Sequence, residues 1–299
     1  MTAPAISFGM FTSLRGNWDQ LVARWQNIEA LGFDSVWVPD HVGFLMPHFE
    51  AWTALAGLAS HTSRIRFGMM VTSTAFRNPT VFAKQVLTLD HLSHGRIELG
   101  LGAGYDPEGT DHAMIGLPGW EPPERVRRFR EVLDIVDPLL RGETVTFSGR
   151  YYQATEALLG ERCVQTPRPP LTIAGYGASM LRLIARYANT FNSGNLDARE
   201  LVEPRAVLAA TRERYARLDE CCLEIGRDPR TLRRSILRFC LPPTENPWVS
   251  VDAFTDFVGR YREIGVDELI FGYRPGRWPD PAIFERITTE LMPALRACS

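Results

Sequence analysis

The sequence predicts an α/β fold, a TIM (β/α)8 barrel with insertions over its C-terminal face. Three observations carry that reading. Short β-rich runs alternate with stretches of helical periodicity along the whole 299 residues. About eight such units in this length fit a closed barrel better than an open sheet. Two segments, 105–122 and 142–170, are longer than ordinary connections and are therefore expected to cover the active-site face. No repeat, low-complexity tract or linker interrupts the pattern, so residues 1–299 read as one domain.

The elements follow in order. The first strand is expected at Ile6–Phe11. Asn17 and Gln20 then form a capping-box pattern, Leu21, Trp25 and Ile28 share one helical face, and Gly32 can end the helix. The second strand, Ser35–Val38, stops at Pro39 and is followed at once by Asp40-His41. After the third strand, Ile65–Val71, a helix opens at Asn78-Pro79, a cap residue with proline at the first helical position. It buries Phe82, Val86 and Leu89 and stops at Gly95, after which the fourth strand occupies Ile97–Leu101. The fourth helix sets Val126, Phe129, Leu133, Val136 and Leu140 at steps of three and four. "TVTFSGRYYQ", 144–153, alternates like a small hairpin. Further strands are expected at Leu171–Ala174, near Thr190–Asn192, at Ser235–Cys240 and at Leu269–Phe271. Phe254, Phe257, Val258 and Tyr261 mark the seventh helix, and Ile283, Ile287 and Leu291 the eighth.

Composition bounds the function. With 45% hydrophobic and 23% charged residues the chain is an ordinary globular one. A net charge of −2 gives no reason to expect nucleic acid or an acidic membrane as partner. No apolar run approaches the roughly 20 residues of a membrane span. The start "MTAPAISFGMF" lacks the features of a signal peptide. The five cysteines, Cys163, Cys221, Cys222, Cys240 and Cys298, match neither a zinc site nor a CxxC pair and read as reduced thiols of a cytoplasmic protein. Lys84 is the only lysine among 33 basic residues, a bias that a GC-rich genome explains.

Catalytic groups in such barrels come from the C-terminal ends of the strands. Asp40 and His41 stand there, and an imidazole titrates near neutrality and can move a proton; the competing reading is a polar turn. The third strand ends "FGMMVTSTAFRNP", with Met70, Val71 and Thr72 at its edge; a methionine pair also serves simple packing. In "ELGLGAGYD", Gly100, Gly102 and Gly104 allow close approach of backbone to a ligand. They follow the fourth strand and do not open a helix, which excludes a dinucleotide fingerprint. Gly175, Gly177 and Ser179 lead directly into a helix, whose free N–H groups and dipole make an anion site; the plain alternative is a tight turn. No metal-ligand cluster is present: His61, His91 and His94 sit near helix ends, where a cation suits the dipole.

Taken together, "GFDSVWVPDH", "TSRIRFGMMVTSTAFRNPTVFAKQVLTLDHLSHGRIELGLGAGY", "RFREVLDIVDPLLRG" with "FSGRYYQ", and "TPRPPLTIAGYGASMLRLIARYAN" resemble the luciferase-like family of flavin- and deazaflavin-dependent oxidoreductases. The resemblance implies a barrel with inserts and a ring cofactor over its mouth. It implies a non-proline cis peptide at Met70–Val71 and cofactor contacts from Met70, Val71, Thr72, Ala103, Gly104 and Tyr105. It places the cofactor phosphate near Ala103-Gly104 and near Gly175, Tyr176, Gly177, Ala178, Ser179 and Met180. The family divides between FMN, used with oxygen, and coenzyme F420, a 5-deazaflavin used for hydride transfer. "DH" after the second strand resembles the F420 branch, where this histidine meets ring and substrate; the chain also lacks the large extra segments of many FMN monooxygenases, and its arginine-rich usage suits actinobacteria. One departure concerns substrate. Tyr105 stands where sugar-phosphate dehydrogenases of the family carry a catalytic carboxylate, and phosphate-gripping basic residues are not evident, so a sugar phosphate is not the expected substrate. Trp52, Trp248, Tyr273 and Arg274 are candidates for the pocket lining. The expectation is an F420-dependent reductase or dehydrogenase acting on a small organic substrate, with His41 moving the proton and Asp40 tuning or orienting the site, as a homodimer. The alternatives are an FMN-dependent monooxygenase and a non-catalytic flavin-binding barrel.

Overall fold

The computed structural model describes residues 6–43, 49–104, 109–194, 204–239, 241, 245–273 and 280–297. In chain order these form β1 (Ser7–Phe11), α1 (Trp18–Ala30), β2 (Ser35–Val38), α2 (Ala51–Ala59), β3 (Arg66–Met69), β4 (Thr72–Ser73), α3 (Pro79–Leu92), β5 (Ile97–Gly102), α4 (Thr110–Met114) and α5 (Pro122–Leu140). They continue with β6 (Val145–Ser148), β7 (Gln153–Ala157), β8 (Leu171–Ala174), α6 (Ala178–Tyr187), β9 (Thr190–Asn192), α7 (Pro204–Glu224), β10 (Arg233–Arg238), α8 (Val251–Glu263), β11 (Glu268–Gly272), α9 (Pro281–Arg286) and α10 (Met292–Ala297).

The parallel strands close on themselves. β11 pairs with both β1 and β10, and at the other side β3 pairs with β5 through Phe67↔Ile97 and Gly68↔Glu98. β3 and β4 are one barrel strand interrupted at Met70-Val71, where a non-proline cis peptide lies as expected. The described strands thus make the eight-stranded TIM barrel that the sequence predicts. Every residue of β2 and β5 is buried, because helices cover the outside and side chains fill the inside.

Local chemistry sets the helix ends where the sequence places them. The Asn17–Gln20 capping box forms in both directions, and the Asn78 side chain accepts from the N–H groups of Thr80 and Val81 ahead of Pro79. The segment 144–153 contributes to an antiparallel hairpin, β6–β7. The Arg128 guanidinium lies between the Trp120 and Tyr151 rings, 3.9 and 4.2 Å from their centroids. This cation–π stack ties the end of the first insert to the hairpin of the second.

The glycines of the fourth barrel strand have a different task from the one the sequence suggests. A Cβ at Gly100 would stand 1.7 Å from the Met69 carbonyl oxygen, and one at Gly102 would stand 2.7 Å from Val71 Cγ2. A Cβ at Gly68 would lie 2.1 Å from the Glu98 carbonyl oxygen. These residues let two strands approach one another beside the bulge, not a ligand.

The N-terminal end of the barrel is sealed by a polar cluster. Ser35 Oγ donates to Glu268 Oε1 at 2.6 Å, Trp37 Nε1 donates to Ser35 Oγ at 2.9 Å, and Arg66 Nε pairs with Glu98 Oε1 at 2.6 Å. Burial, with the Glu98 carboxylate beside it, pushes the Glu268 carboxyl up to about 7. Among the described cysteines Cys163, Cys221 and Cys222 are free thiols, and burial holds Cys163 up at about 12; Cys240 and Cys298 lie outside the described residues. No described helix is long and apolar enough to cross a membrane.

Candidate active site

The C-terminal edge of β2 carries Asp40 and His41, and the two adjacent side chains serve different partners. Asp40 is 5% exposed. It accepts from Arg77 Nη1 at 2.6 Å, from Arg77 Nη2 at 3.2 Å and from the Ser73 backbone N–H at 3.0 Å. Burial pushes its carboxyl above the usual range, against the opposing pull of Arg77. Burial lowers Arg77 in turn, and the charges of Asp40 and Glu50 more than restore it. The bidentate geometry is that of a charged pair. Asp40 therefore braces the wall behind the bulge through Arg77 and Ser73, and the His41 ring is held by a different carboxylate.

The imidazole is held from elsewhere. His41 Nδ1 lies 2.6 Å from Asp111 Oδ2. Asp111 comes from α4, within the first insert, and is 1% exposed. Its other oxygen accepts from the backbone N–H groups of Val42 at 3.1 Å and Gly43 at 2.8 Å. Asp111 was not singled out from the sequence; the signal open to a reader was a "DH" pair in a short helix of an over-long loop.

Two cavities meet this edge, and a third lies at the start of α6. One of about 100 Å³ lies over the barrel axis and is walled by His41, Met70, Val71, Ala174, Asn192 and Leu237, with Gly104 at its rim. A second, of about 570 Å³, shares Asp40, His41 and Phe76 with the first and extends past Arg77 to Ile115 and Leu117. His41 thus stands in the wall common to both. A third, of about 500 Å³, is lined by Tyr176, Gly177, Ala178, Ser179 and Met180 at the start of α6. Arg127 and Arg130 of α5 and Arg182 of α6 face the same cavity. Basic residues thus stand at the expected anion site, and Arg127, Arg130 and Arg182 were not among the residues singled out from the sequence.

Not every expected residue reaches a cavity. Thr72 is fully buried behind the bulge, where its hydroxyl donates to Met69 Sδ at 3.4 Å, and Ser73 lines the cavity in its place. Ala103 packs against the hydrophobic core. Gly175 lies against the Met180 side chain, to which an added Cβ would come within 2.6 Å. Tyr105 lies outside the described residues. Of the pocket candidates, Trp52 packs edge-on against Phe82 between the outer helices, and Trp248 is enclosed by Phe254, Phe271 and Phe284. Both are buried against other aromatic rings, and neither lines any of the three cavities above. Tyr273 is half-buried beneath the Arg24 guanidinium, 5.8 Å from its ring centroid; Arg274 lies outside the described residues. His112, next to Asp111, lines the axial cavity, with its ring 5.3 Å from that of Trp120. Among the described residues no group of His, Cys, Asp and Glu is placed to hold a metal ion.

Comparison with known proteins gives a consistent answer. A family described as luciferase-like monooxygenase matches residues 6–264. An F420-dependent glucose-6-phosphate dehydrogenase of Beutenbergia cavernae is 30% identical over 90% of this chain and 91% of its own length. A phthiodiolone/phenolphthiodiolone dimycocerosates ketoreductase of Mycobacterium bovis is 32% identical over 54% of this chain and 47% of its own. Among solved structures, an F420-dependent secondary alcohol dehydrogenase in complex with an F420-acetone adduct superposes with TM-score 0.79 at 19% identity, covering 97% of this chain and 99% of its own. The F420-dependent tetrahydromethanopterin reductase of Methanopyrus kandleri gives 0.76 at 18%, again covering 97% and 99%. At such identities the superpositions establish the shared fold.

Proposed function

The chain belongs to the luciferase-like family, and we propose that it is an F420-dependent oxidoreductase that moves a hydride to or from a small organic substrate. The observation that carries this reading is His41, set in the wall shared by two cavities at the C-terminal mouth of the barrel. The full-length similarity to an F420-dependent dehydrogenase supports the choice of cofactor.

The residues present fit a deazaflavin. Met70, Val71, Ala174 and Leu237 offer an apolar seat for a flat ring. The start of α6, with its first-turn N–H groups and with Arg127, Arg130 and Arg182 around it, suits an anionic group such as the cofactor phosphodiester. When bound, F420 supplies a carbon that accepts or donates hydride, which is the hard part of the chemistry. The protein's part is to orient the substrate, exclude water and move one proton. His41 is the group placed to do the last, and the Asp40–Arg77 pair keeps the wall beside it rigid.

The substrate reading follows from charge. Among the described residues near His41, the carboxylates are Asp40, Asp111 and Glu50, and Arg77 is already engaged by two of them. A phosphate dianion would meet net negative charge there; an uncharged alcohol or ketone would not. A cytoplasmic location accords with the free thiols of Cys163, Cys221 and Cys222.

The test has two arms. Titration with F420 and with FMN, each followed by fluorescence quenching, should give tight binding of F420 alone. Turnover of alcohols by the F420-loaded protein should proceed without oxygen, and His41→Ala should lower it by roughly 10²- to 10⁴-fold with cofactor affinity little changed. Preferential binding of FMN with oxygen consumption would favour the monooxygenase alternative, and wild-type turnover by His41→Ala would remove the imidazole from the mechanism.

A further inference from the structure

We propose that Asp111 is the positioning residue of this site: it fixes His41 in the tautomer with the proton on Nδ1, so that Nε2 is the atom that exchanges a proton with the substrate. The inference rests on the reading of His41 given above and specifies which nitrogen acts and why.

Three N–H groups converge on the Asp111 carboxylate. The backbone N–H groups of Val42 and Gly43 occupy Oδ1, and Nδ1 of His41 lies against Oδ2 at 2.6 Å. An ionised carboxylate can only accept, whereas a neutral imidazole has one donor and one acceptor nitrogen. Pairing with Oδ2 therefore makes Nδ1 the donor and leaves the lone pair on Nε2. Two further features make the arrangement rigid. The donors on Oδ1 belong to the residues directly after His41, so one carboxylate clamps both the ring and the backbone that carries it. The Asp111 side chain is enclosed while that of His41 is 24% exposed and reaches the cavities, so the clamp stays dry and the ring meets the ligand.

The proton inventory is then simple. In alcohol oxidation the hydroxyl proton would pass to His41 Nε2 as the C–O bond becomes C=O, and bound oxidised F420 would supply the acceptor for the hydride that leaves carbon. The His41 imidazolium so formed keeps its Nδ1–H on Asp111, which stabilises the charge without taking the proton. In ketone reduction the same Nε2–H returns to the carbonyl oxygen as hydride arrives at carbon. A ring held in the opposite tautomer would present an N–H to the alcohol and could not accept its proton.

Asp111→Asn tests this directly, because the two backbone donors dictate how the amide must sit. Its oxygen has to stay on the Val42 and Gly43 N–H groups, which turns the NH₂ toward Nδ1. A donor then faces Nδ1, and the ring answers by moving its proton to Nε2. The expected result is a fall in kcat of roughly 10²- to 10⁴-fold, the range for a lost general base, with KM and F420 affinity changed by less than about 3-fold. Ring ¹⁵N NMR of neutral His41 should show Nδ1 protonated in the native chain and Nε2 protonated in the variant. A native spectrum with the proton on Nε2 would overturn the proposal even if the variant failed to fold. If His41→Ala is inactive and Asp111→Asn turns over at the native rate, the positioning role falls alone; if His41→Ala is fully active, the parent reading falls with it.

Discussion

Replacing Arg77 with methionine would take the cation away from a buried carboxylate while keeping most of the side-chain volume. Asp40 now receives two hydrogen bonds from Arg77 and one from the Ser73 N–H. In the variant only the last of these identified bonds remains. Removing one member of a buried ion pair costs roughly 3–5 kcal/mol, because the charge left behind has lost both water and partner. The second pair made by Arg77 sets the control. Glu50 is about half exposed, so its contact with Arg77 is worth about 0–1 kcal/mol, and Glu50→Gln, which keeps an oxygen for the Thr53 N–H that Glu50 caps, should lose about that much. The pH dependence has a definite sign. Burial already raises the Asp40 carboxyl and Arg77 opposes the rise, so losing Arg77 raises it further. A carboxyl raised in the folded state adds stability that is complete below its unfolded pKa and is lost as pH rises through the folded one. The deficit of Arg77→Met should therefore be small in acid and grow toward neutral pH. Urea denaturation followed by circular dichroism, on both variants at acid and at neutral pH, measures it. A neutral-pH deficit below about 1 kcal/mol, or one equal to that of Glu50→Gln, would refute the view that Asp40–Arg77 is a buried strut.

Two further outcomes are expected. The Glu268 carboxyl is raised from 4.5 to about 7, so the native chain should lose up to about 3 kcal/mol relative to Glu268→Gln as pH climbs through that window; parallel pH curves for the two proteins would show that the barrel floor does not hold a protonated acid at mildly acidic pH. Ser179→Asp should weaken F420 binding about 10-fold by placing a carboxylate at the start of α6, and it is a cleaner probe than a change at Gly177, whose φ of 82° strains any side chain; an unchanged quenching curve would move the cofactor anion elsewhere.

The barrel was legible because each of its parts announces itself locally. Ser35–Val38, Leu171–Ala174 and Thr190–Asn192 occupy the residues expected of them, since continuous apolar runs flanked by turn residues have few other solutions in a doubly covered sheet. The Asn17 box and the Asn78-Pro79 start were equally plain, because a cap is a contact over three or four residues. The bulge at Met70–Val71 came from family resemblance; nothing in "FGMMVTS" itself distinguishes it from a straight strand. Gly100 and Gly102 were misread for a related reason. A glycine reports that something comes close, not what, and here it is the neighbouring strand: the Met69 carbonyl at Gly100 and the Val71 side chain at Gly102.

The site was half legible, and the missing half has one cause. His41 was found from its position after a strand, which is sequence information. Its partner sits 70 positions away in the insert, on a helix of five residues with too few turns to show a periodicity. Only closure of the barrel brings α4 over β2, and only then does the pair become visible. The same holds for Arg77, which reaches Asp40 across 37 positions, and for Arg127, Arg130 and Arg182, which come together because α5 and α6 pack side by side. Asp40-His41 therefore misleads by adjacency. Two neighbours in sequence look like one catalytic unit, yet along an extended chain successive side chains point to opposite sides. Here one pairs with Arg77 and the other with Asp111. A carboxylate and an imidazole side by side at a strand end thus bring in a second carboxylate from an insert, and that arrangement separates the two tasks of the site. Asp40 holds the wall still, while Asp111 sets the proton on the ring that the wall presents.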